Sequence, residues 1–234
     1  MLFTMNGKLT SVNNLIQGNY IMQFKPLLIA VEGMDGVGKT TITTRIWEYI
    51  RDEYMACKKT SQNRDTMIGL SIRKMLENNI LTTGNDDTRA MLMCAGINDL
   101  VNQYILPSLE DGCSVVMDRY TFSARVYQAE STVVKPLCNM IEQVILPDLV
   151  ILLDAPANVA RDRVFQRAVS AVNANGDPLD ELELASPEEY KKRRTAYLEL
   201  AEEYADIFEV FNANKPLDEV WLQIKPYIDE LFQI

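Results

Sequence analysis

The chain has 234 residues, enough to bury a sizeable core as one large domain, and its 47% apolar and 24% charged content is an ordinary globular balance. A net charge of −10 argues against broad binding to nucleic acid or to anionic membranes, both of which need a basic face, so phosphate sites must be local. The lack of histidine excludes Ser-His and Cys-His nucleophiles and histidine metal sites, and Cys57, Cys94, Cys113 and Cys138, without a CxxC pair, fit reduced thiols rather than zinc or a disulfide framework.

Residues 1–25 form an arm to which no chemistry is assigned. Asn6-Gly7 suits a two-residue hairpin turn and Gly18-Asn19 a second turn, which leaves a small hairpin, a disordered tail or a plain extension open. Residues 26–234 read as the main domain. Leu27-Leu28-Ile29-Ala30-Val31 is an apolar run ending at a Gly-rich turn, the pattern of a strand buried on both faces of a parallel sheet. From Gly33 to Thr40 the residues fit G-x-x-x-x-G-K-[ST], a phosphate-binding loop. Gly33, Gly36 and Gly38 permit the backbone angles that turn successive N–H groups inward around phosphate oxygens. With Met34, Asp35, Val37 and Thr41 these residues line the candidate nucleotide site, where Lys39 reaches the β- and γ-phosphates and Thr40 is placed for Mg²⁺. Ile42 to Arg51 continues as an amphipathic helix whose positive end faces the same anion.

Ala56 to Ser61 is a poor strand by composition, but its position between helices predicts one. Thr66 to Asn79 is predicted helical, with Ile68, Ile72, Met75 and Leu76 on one face, and Asp86 to Leu106 is a longer helix ended by Pro107. Ser114 to Asp118 and Leu149 to Asp154 are buried strands. Ser186-Pro187-Glu188-Glu189 starts a helix running to about Ala205, with Ser as N-cap, Pro at the first helical position and Glu completing a capping box. Ile207 to Phe211 is the last strand and Leu217 to Leu231 the closing helix. Strands alternating with helices predict an α/β fold, a parallel sheet of about five strands flanked by helices. No apolar run approaches the roughly 20 residues of a membrane span, so a cytoplasmic protein is expected.

Asp118-Arg119-Tyr120 lands a carboxylate and a guanidinium at the carboxyl end of a central strand, where ligands of open α/β sheets collect. Asp there can hold a metal through water, and Arg pairs with phosphate in a bidentate way. Taken alone, the pair also fits a strand-end ion pair.

The longer run Asp118-Arg119-Tyr120-Thr121-Phe122-Ser123-Ala124-Arg125-Val126-Tyr127-Gln128 resembles the D-R-Y-x-x-S-x-x-A-Y-Q segment of thymidylate kinases. Glu32 to Thr41 is similar to that family's E-G-x-D-G-x-G-K-T-T, and Pro147 to Asp154 to its P-D-L-x-x-x-L-D strand. Arg64-Asp65-Thr66-Met67-Ile68-Gly69, with Arg73 beyond, resembles the segment that meets the monophosphate. The resemblance runs in order from Leu27 to Ile224 and implies a nucleoside monophosphate kinase that uses ATP and Mg²⁺. It implies that Lys39 and the loop hold the ATP phosphates and that Thr40 and Asp118 serve the metal. Asp35 would bond the sugar 3′-hydroxyl, Arg64, Arg73 and Arg119 would clamp the monophosphate, and Tyr127 would stack on the deoxyribose. A homodimer is also implied, with small-molecule nucleotides rather than nucleic acid as partners.

Residues 161–186 resemble the family's lid: Asn173 to Pro178 has a loop composition, and Asp180-Glu181-Leu182-Glu183 is similar to its D-x-x-E. With Gly at position 36, the resemblance implies that the lid supplies a catalytic arginine, for which Arg167 and then Arg163 are the candidates. Two positions depart from the pattern. Met93 falls where the family has the phenylalanine that stacks on thymine, and Ile97 where it has the arginine that reads the base edge. Ser61-Gln62-Asn63 likewise replaces a Phe-Pro lead-in, and Asn98 or Gln128 could compensate. Losing a polar reader relaxes or changes base choice. A deoxynucleoside monophosphate, dTMP first, is therefore the expected acceptor. The alternatives are another or modified nucleotide, a neutral nucleoside, or a nucleotide-binding module without turnover.

Overall fold

The protein is described here from a computed structural model, which covers residues 3–5, 8–10, 24–78, 80, 86–173 and 185–232. At the N-terminal end β1 (Phe3–Met5) and β2 (Lys8–Thr10) pair antiparallel with Met5 opposite Lys8, the register that a two-residue turn at Asn6-Gly7 requires. Asn6 and Gly7 themselves, the turn expected at Gly18-Asn19, most of the Asn173–Pro178 loop and the Asp180–Glu183 motif lie outside the described residues.

The main sheet contains β3 (Leu28–Glu32), β4 (Cys57–Ser61), β5 (Ser114–Asp118), β6 (Leu149–Asp154) and β7 (Phe208–Asn212), all parallel, in the order β4-β5-β3-β6-β7. The apolar run places β3 at the centre, where Leu28, Ile29, Ala30 and Val31 are fully buried. β5 and β6 flank it with Val115, Val116, Val150 and Ile151, also fully buried, because a strand covered on both faces must be apolar at consecutive positions. All five strands point their carboxyl ends to one edge, which collects the loops carrying the polar residues.

The helices are α1 (Lys39–Glu53), α2 (Met67–Glu77), α3 (Asp86–Leu100), α4 (Leu106–Glu110), α5 (Thr121–Tyr127), α6 (Val134–Val144), α7 (Ala157–Asn173), α8 (Pro187–Glu203) and α9 (Leu217–Leu231). Several depart from expectation. Pro107 does not end the helical stretch: a π-helical turn, Val101–Ile105, precedes it and α4 continues to Glu110. Pro107 then sits in a first turn, where its missing N–H costs little, and the wider turn before it relieves the clash of its ring with the preceding carbonyls. On α2 only Ile72 of the expected apolar face is buried, and Ile68 is 44% exposed. The start of the expected lid is helix, because α7 runs on to Asn173. Ser186 caps α8 as expected, accepting from the Glu189 N–H at 3.1 Å, but the Glu189 carboxylate takes Lys192 at 3.3 Å instead of closing the capping box. No described helix is long and apolar enough to cross a membrane.

Candidate active site

The turn between β3 and α1 has the backbone that a phosphate loop requires, with positive φ at Gly33 (137°), Gly36 (85°) and Gly38 (95°). Gly36 is also needed for space, since a Cβ there would lie 2.1 Å from the Ala160 carbonyl oxygen of α7. α1 begins at Lys39 rather than at Ile42, so its first N–H groups open directly onto the loop. Lys39 is buried; its Nζ donates to the Met34 carbonyl at 2.6 Å and lies 3.8 Å from Asp35 Oδ1. Burial, and next the nearby Arg119 guanidinium, pull the Lys39 ammonium down to about 8, with Asp35, Asp118 and Glu32 opposing them.

Arg119 follows β5 directly. Its N–H donates to the Val31 carbonyl at 3.1 Å, and its φ of 72°, unusual for a side chain with a Cβ, turns the chain back over the loop. Its Nη1 donates to Ser123 Oγ at 3.0 Å and to the Gly33 carbonyl at 3.4 Å, while Nη2 forms an ion pair with Asp35 Oδ1. Tyr127, one turn of α5 further on, donates its hydroxyl to Asp35 Oδ2 at 2.6 Å, and the Arg119 guanidinium stands 5.0 Å from its ring centroid. Burial alone would raise the Asp35 carboxyl, but Arg119 first, then Lys39 and the Tyr127 hydroxyl, hold it far below the usual carboxylate range. Burial pushes the Tyr127 hydroxyl well up, so it remains a donor. Beside this cluster Thr40 Oγ1 donates to Asp118 Oδ2 at 2.6 Å.

Asp35, Lys39, Arg119 and Tyr127 therefore meet at the carboxyl edge of the sheet, and Thr40 and Asp118 meet next to them. Other expected residues do not join the cluster. Arg64 is exposed, and Arg73 pairs with Glu77 at 2.7 Å along α2; neither makes a hydrogen bond or ion pair to the loop. β4 lies beside β5, and Gln62 N–H donates to the Asp118 carbonyl at 3.1 Å, so the segment carrying Arg64 starts at the same edge. Arg163 donates to the Ala213 carbonyl at 2.9 Å and Arg167 is exposed on α7. Met93 is buried with its Sδ 3.5 Å from Asn63 Nδ2, which leaves it little surface for a base. Ile97 is fully buried in the core, on the inward side of α3. Gln128 is buried, and its amide oxygen and nitrogen find no hydrogen-bond partner among the described residues.

Three functional candidates escaped the sequence reading. Glu32 is fully buried at the end of β3 and accepts from the Tyr120 N–H at 2.7 Å, the Ser123 N–H at 3.3 Å and the Ser123 hydroxyl at 2.6 Å, fastening the start of α5. Burial raises its carboxyl, opposed by those bonds and by Arg119 and Lys39. The Tyr197 hydroxyl of α8 lies 2.9 Å from the Ser123 hydroxyl and donates to Glu32 at 3.3 Å. Arg193 of α8 places its guanidinium 4.5 Å from the Tyr127 ring centroid. The available signals were a lone carboxylate ending a buried apolar strand, and an arginine in the inward stripe Tyr190, Arg193, Tyr197, Leu200 of α8.

These residues fit a nucleoside triphosphate with a hydrated divalent cation. The loop turns N–H groups inward and supplies a buried lysine. The other oxygen of Asp118, Oδ1, is buried with no hydrogen-bond partner among the described residues. No group of three His, Cys, Asp or Glu side chains that could hold a metal occurs among the described residues, so a cation here would complete its shell with phosphate and water.

A family model, Thymidylate kinase, matches residues 31–224. A protein of Archaeoglobus fulgidus named "Probable thymidylate kinase" is 32% identical over 210 residues, covering 89% of this chain and 97% of its own. The "Thymidylate kinase" of Bartonella quintana is 31% identical over 202 residues (84% and 92%), and that of Nitrosomonas europaea 27% identical over 209 residues (87% and 93%). The match covers both halves of the cluster, the loop that ends at Lys39 and the strand end that carries Arg119, and the chain belongs to the thymidylate kinase family.

Proposed function

We propose that this phosphotransferase moves the γ-phosphoryl group of ATP to a deoxynucleoside monophosphate, dTMP before others. The observation that carries the reading is the cluster of Arg119, Asp35, Tyr127 and Lys39. A triphosphate on the loop needs Lys39 alone, whereas a guanidinium hydrogen-bonded to the loop carbonyl of Gly33 serves a second anion beside it. The acceptor oxygen of a monophosphate is already ionised, so the new P–O bond forms, and the bond to the ADP leaving group breaks, without a general base. What remains is to hold two anions in line and offset their repulsion. Lys39 and the loop hold the donor, and Arg119 holds the acceptor phosphate. Asp35 and Tyr127 set the sugar, and Arg64, exposed after β4, and Arg73, half-buried on α2, would turn in to complete the clamp. Thr40 and Asp118 would hold the Mg²⁺, which when bound neutralises phosphate charge. Arg167, exposed on α7 within the expected lid, would be the arginine for the transferred group.

A second reading, an acceptor with a different or modified base, is favoured by the burial of Ile97, which leaves no polar reader at that position. By this reading the first 25 residues are an N-terminal arm or extension preceding the kinase domain, and the protein is cytoplasmic. A homodimer would use the apolar residues exposed on α3 and α6, Met91, Met140 and Val144. The test is ADP release from ATP and Mg²⁺ with all deoxynucleoside and ribonucleoside monophosphates and with thymidine. The proposal expects the highest kcat/KM with dTMP. Preferential turnover of thymidine, or no transfer to any monophosphate, would refute it.

A further inference from the structure

α8 buries one stripe of its surface, and Arg193 lies in that stripe between two tyrosines, 7% exposed. A guanidinium in such a place is costly unless something there needs its charge. It faces two rings, Tyr127 at 4.5 Å and Tyr190 at 5.8 Å from their centroids. Tyr127 is therefore approached by two guanidinium groups, Arg193 and Arg119, while its hydroxyl is spent on Asp35 at 2.6 Å. Arg193 also acts electrostatically on Asp35, alongside Arg119 and Lys39. Three cations, two of them buried, thus act on one ionised carboxylate, and the other carboxylate nearby, Glu32, is driven by burial toward its neutral form.

We propose that Arg193 is a positioning residue of the acceptor half of the site: it holds the Tyr127 ring, and through it the Asp35 carboxylate, where the sugar and phosphate of a nucleoside monophosphate are set. This rests on the monophosphate-kinase reading above. Arg193 acts on the acceptor and not on the triphosphate, and by fixing Tyr127 it sharpens the choice of deoxyribose over ribose. A planar cation suits the task, because it can lie along a ring face and still present charge to the carboxylate beyond.

The test compares wild type with Arg193→Met, which keeps the apolar bulk, and Arg193→Lys, which keeps the charge. Calorimetric dissociation constants for dTMP, dUMP and UMP would be measured beside steady-state constants and thermal melts. Arg193→Met is expected to weaken dTMP binding and raise its KM on the order of tenfold. It should narrow the dUMP-to-UMP ratio and leave KM for ATP within about twofold, with Arg193→Lys in between. Unchanged dTMP affinity and sugar discrimination in a folded Arg193→Met would overturn the assignment. So would equal losses for ATP and dTMP that track the fall in melting temperature, the mark of a packing role. Should Arg193→Met not fold, Arg193→Lys and Arg193→Gln decide the matter by the same split. Wild type that binds dTMP without turnover would refute the kinase reading and leave the binding comparison to judge Arg193; wild type that binds no monophosphate would refute both.

Discussion

Lys39 offers the most quantitative test of the phosphate loop. In the free protein its ammonium is drawn from the ordinary 10.5 to about 8, by burial first and by Arg119 second. At about 1.4 kcal/mol per tenfold change, the empty loop withholds roughly 3 kcal/mol from the charged form, which triphosphate oxygens would return. A bound anion raises the lysine again, so binding above pH 8 must draw a proton from solution. About nine in ten molecules carry that proton at pH 7 and about one in ten at pH 9, so ATP affinity should fall about tenfold between them. Titration calorimetry at both pH values, in two buffers of different ionisation heat, reads the affinity and counts the protons. A dissociation constant flat across this range, or a heat independent of buffer, would refute the argument. The sign for stability is opposite to that of a lysine gaining a partner: between about 8 and 10.5 the unfolded chain keeps a proton that the native site has lost. This one group therefore contributes rising stability to the free fold across that window.

Gly36→Ala must place a Cβ 2.1 Å from the Ala160 carbonyl and hold a positive φ, so it should lose at least about 2 kcal/mol in denaturant unfolding, whereas Gly38→Ala, with open space at its Cβ, should lose only about 1 kcal/mol. Equal losses would show that the conformation, and not the approach of α7, sets the requirement at Gly36. Ile97→Arg should lower the melting temperature sharply, by at least about 3 kcal/mol of stability, because it buries a charge in the core. A stable variant with sharper thymine preference would instead mean that this position reaches the base. Tyr127→Phe removes a hydrogen bond to an ionised carboxylate, so urea unfolding should show a loss of about 1.5–3 kcal/mol together with a raised KM for the monophosphate. An unchanged urea midpoint would mean that water satisfies Asp35 equally well.

How far the site could be read from the chain depended on how local each requirement was. The phosphate loop is local: three glycines, a lysine and a threonine at fixed spacing are bound by backbone geometry, and all three glycines have the positive φ expected of them. Arg119 was legible for a similar reason, as a charged residue directly after an apolar strand. Arg64 follows β4 at the same edge of the sheet and Arg73 lies beyond it on α2, but side-chain direction on a loop and a helix surface is decided by nearby partners, and Glu77 takes Arg73. The burial of Ile97 was not legible because periodicity on α3 does not say which stripe meets the core and which meets a ligand. Pro107 misled because its effect depends on the turn before it, and a π turn absorbs what would otherwise end a helix.

The residues alone determined an α/β chain with a triphosphate loop at the end of a buried strand, since strand, turn and helix there are each dictated by neighbours within a few positions. Tertiary structure alone decided that Glu32 ties down α5, that Tyr127 closes on Asp35, and that α8, more than 60 residues further along, brings Arg193 against that tyrosine. Such pairings follow from the strand order β4-β5-β3-β6-β7 and from which face of each helix is buried, and both are outcomes of packing the whole core at once.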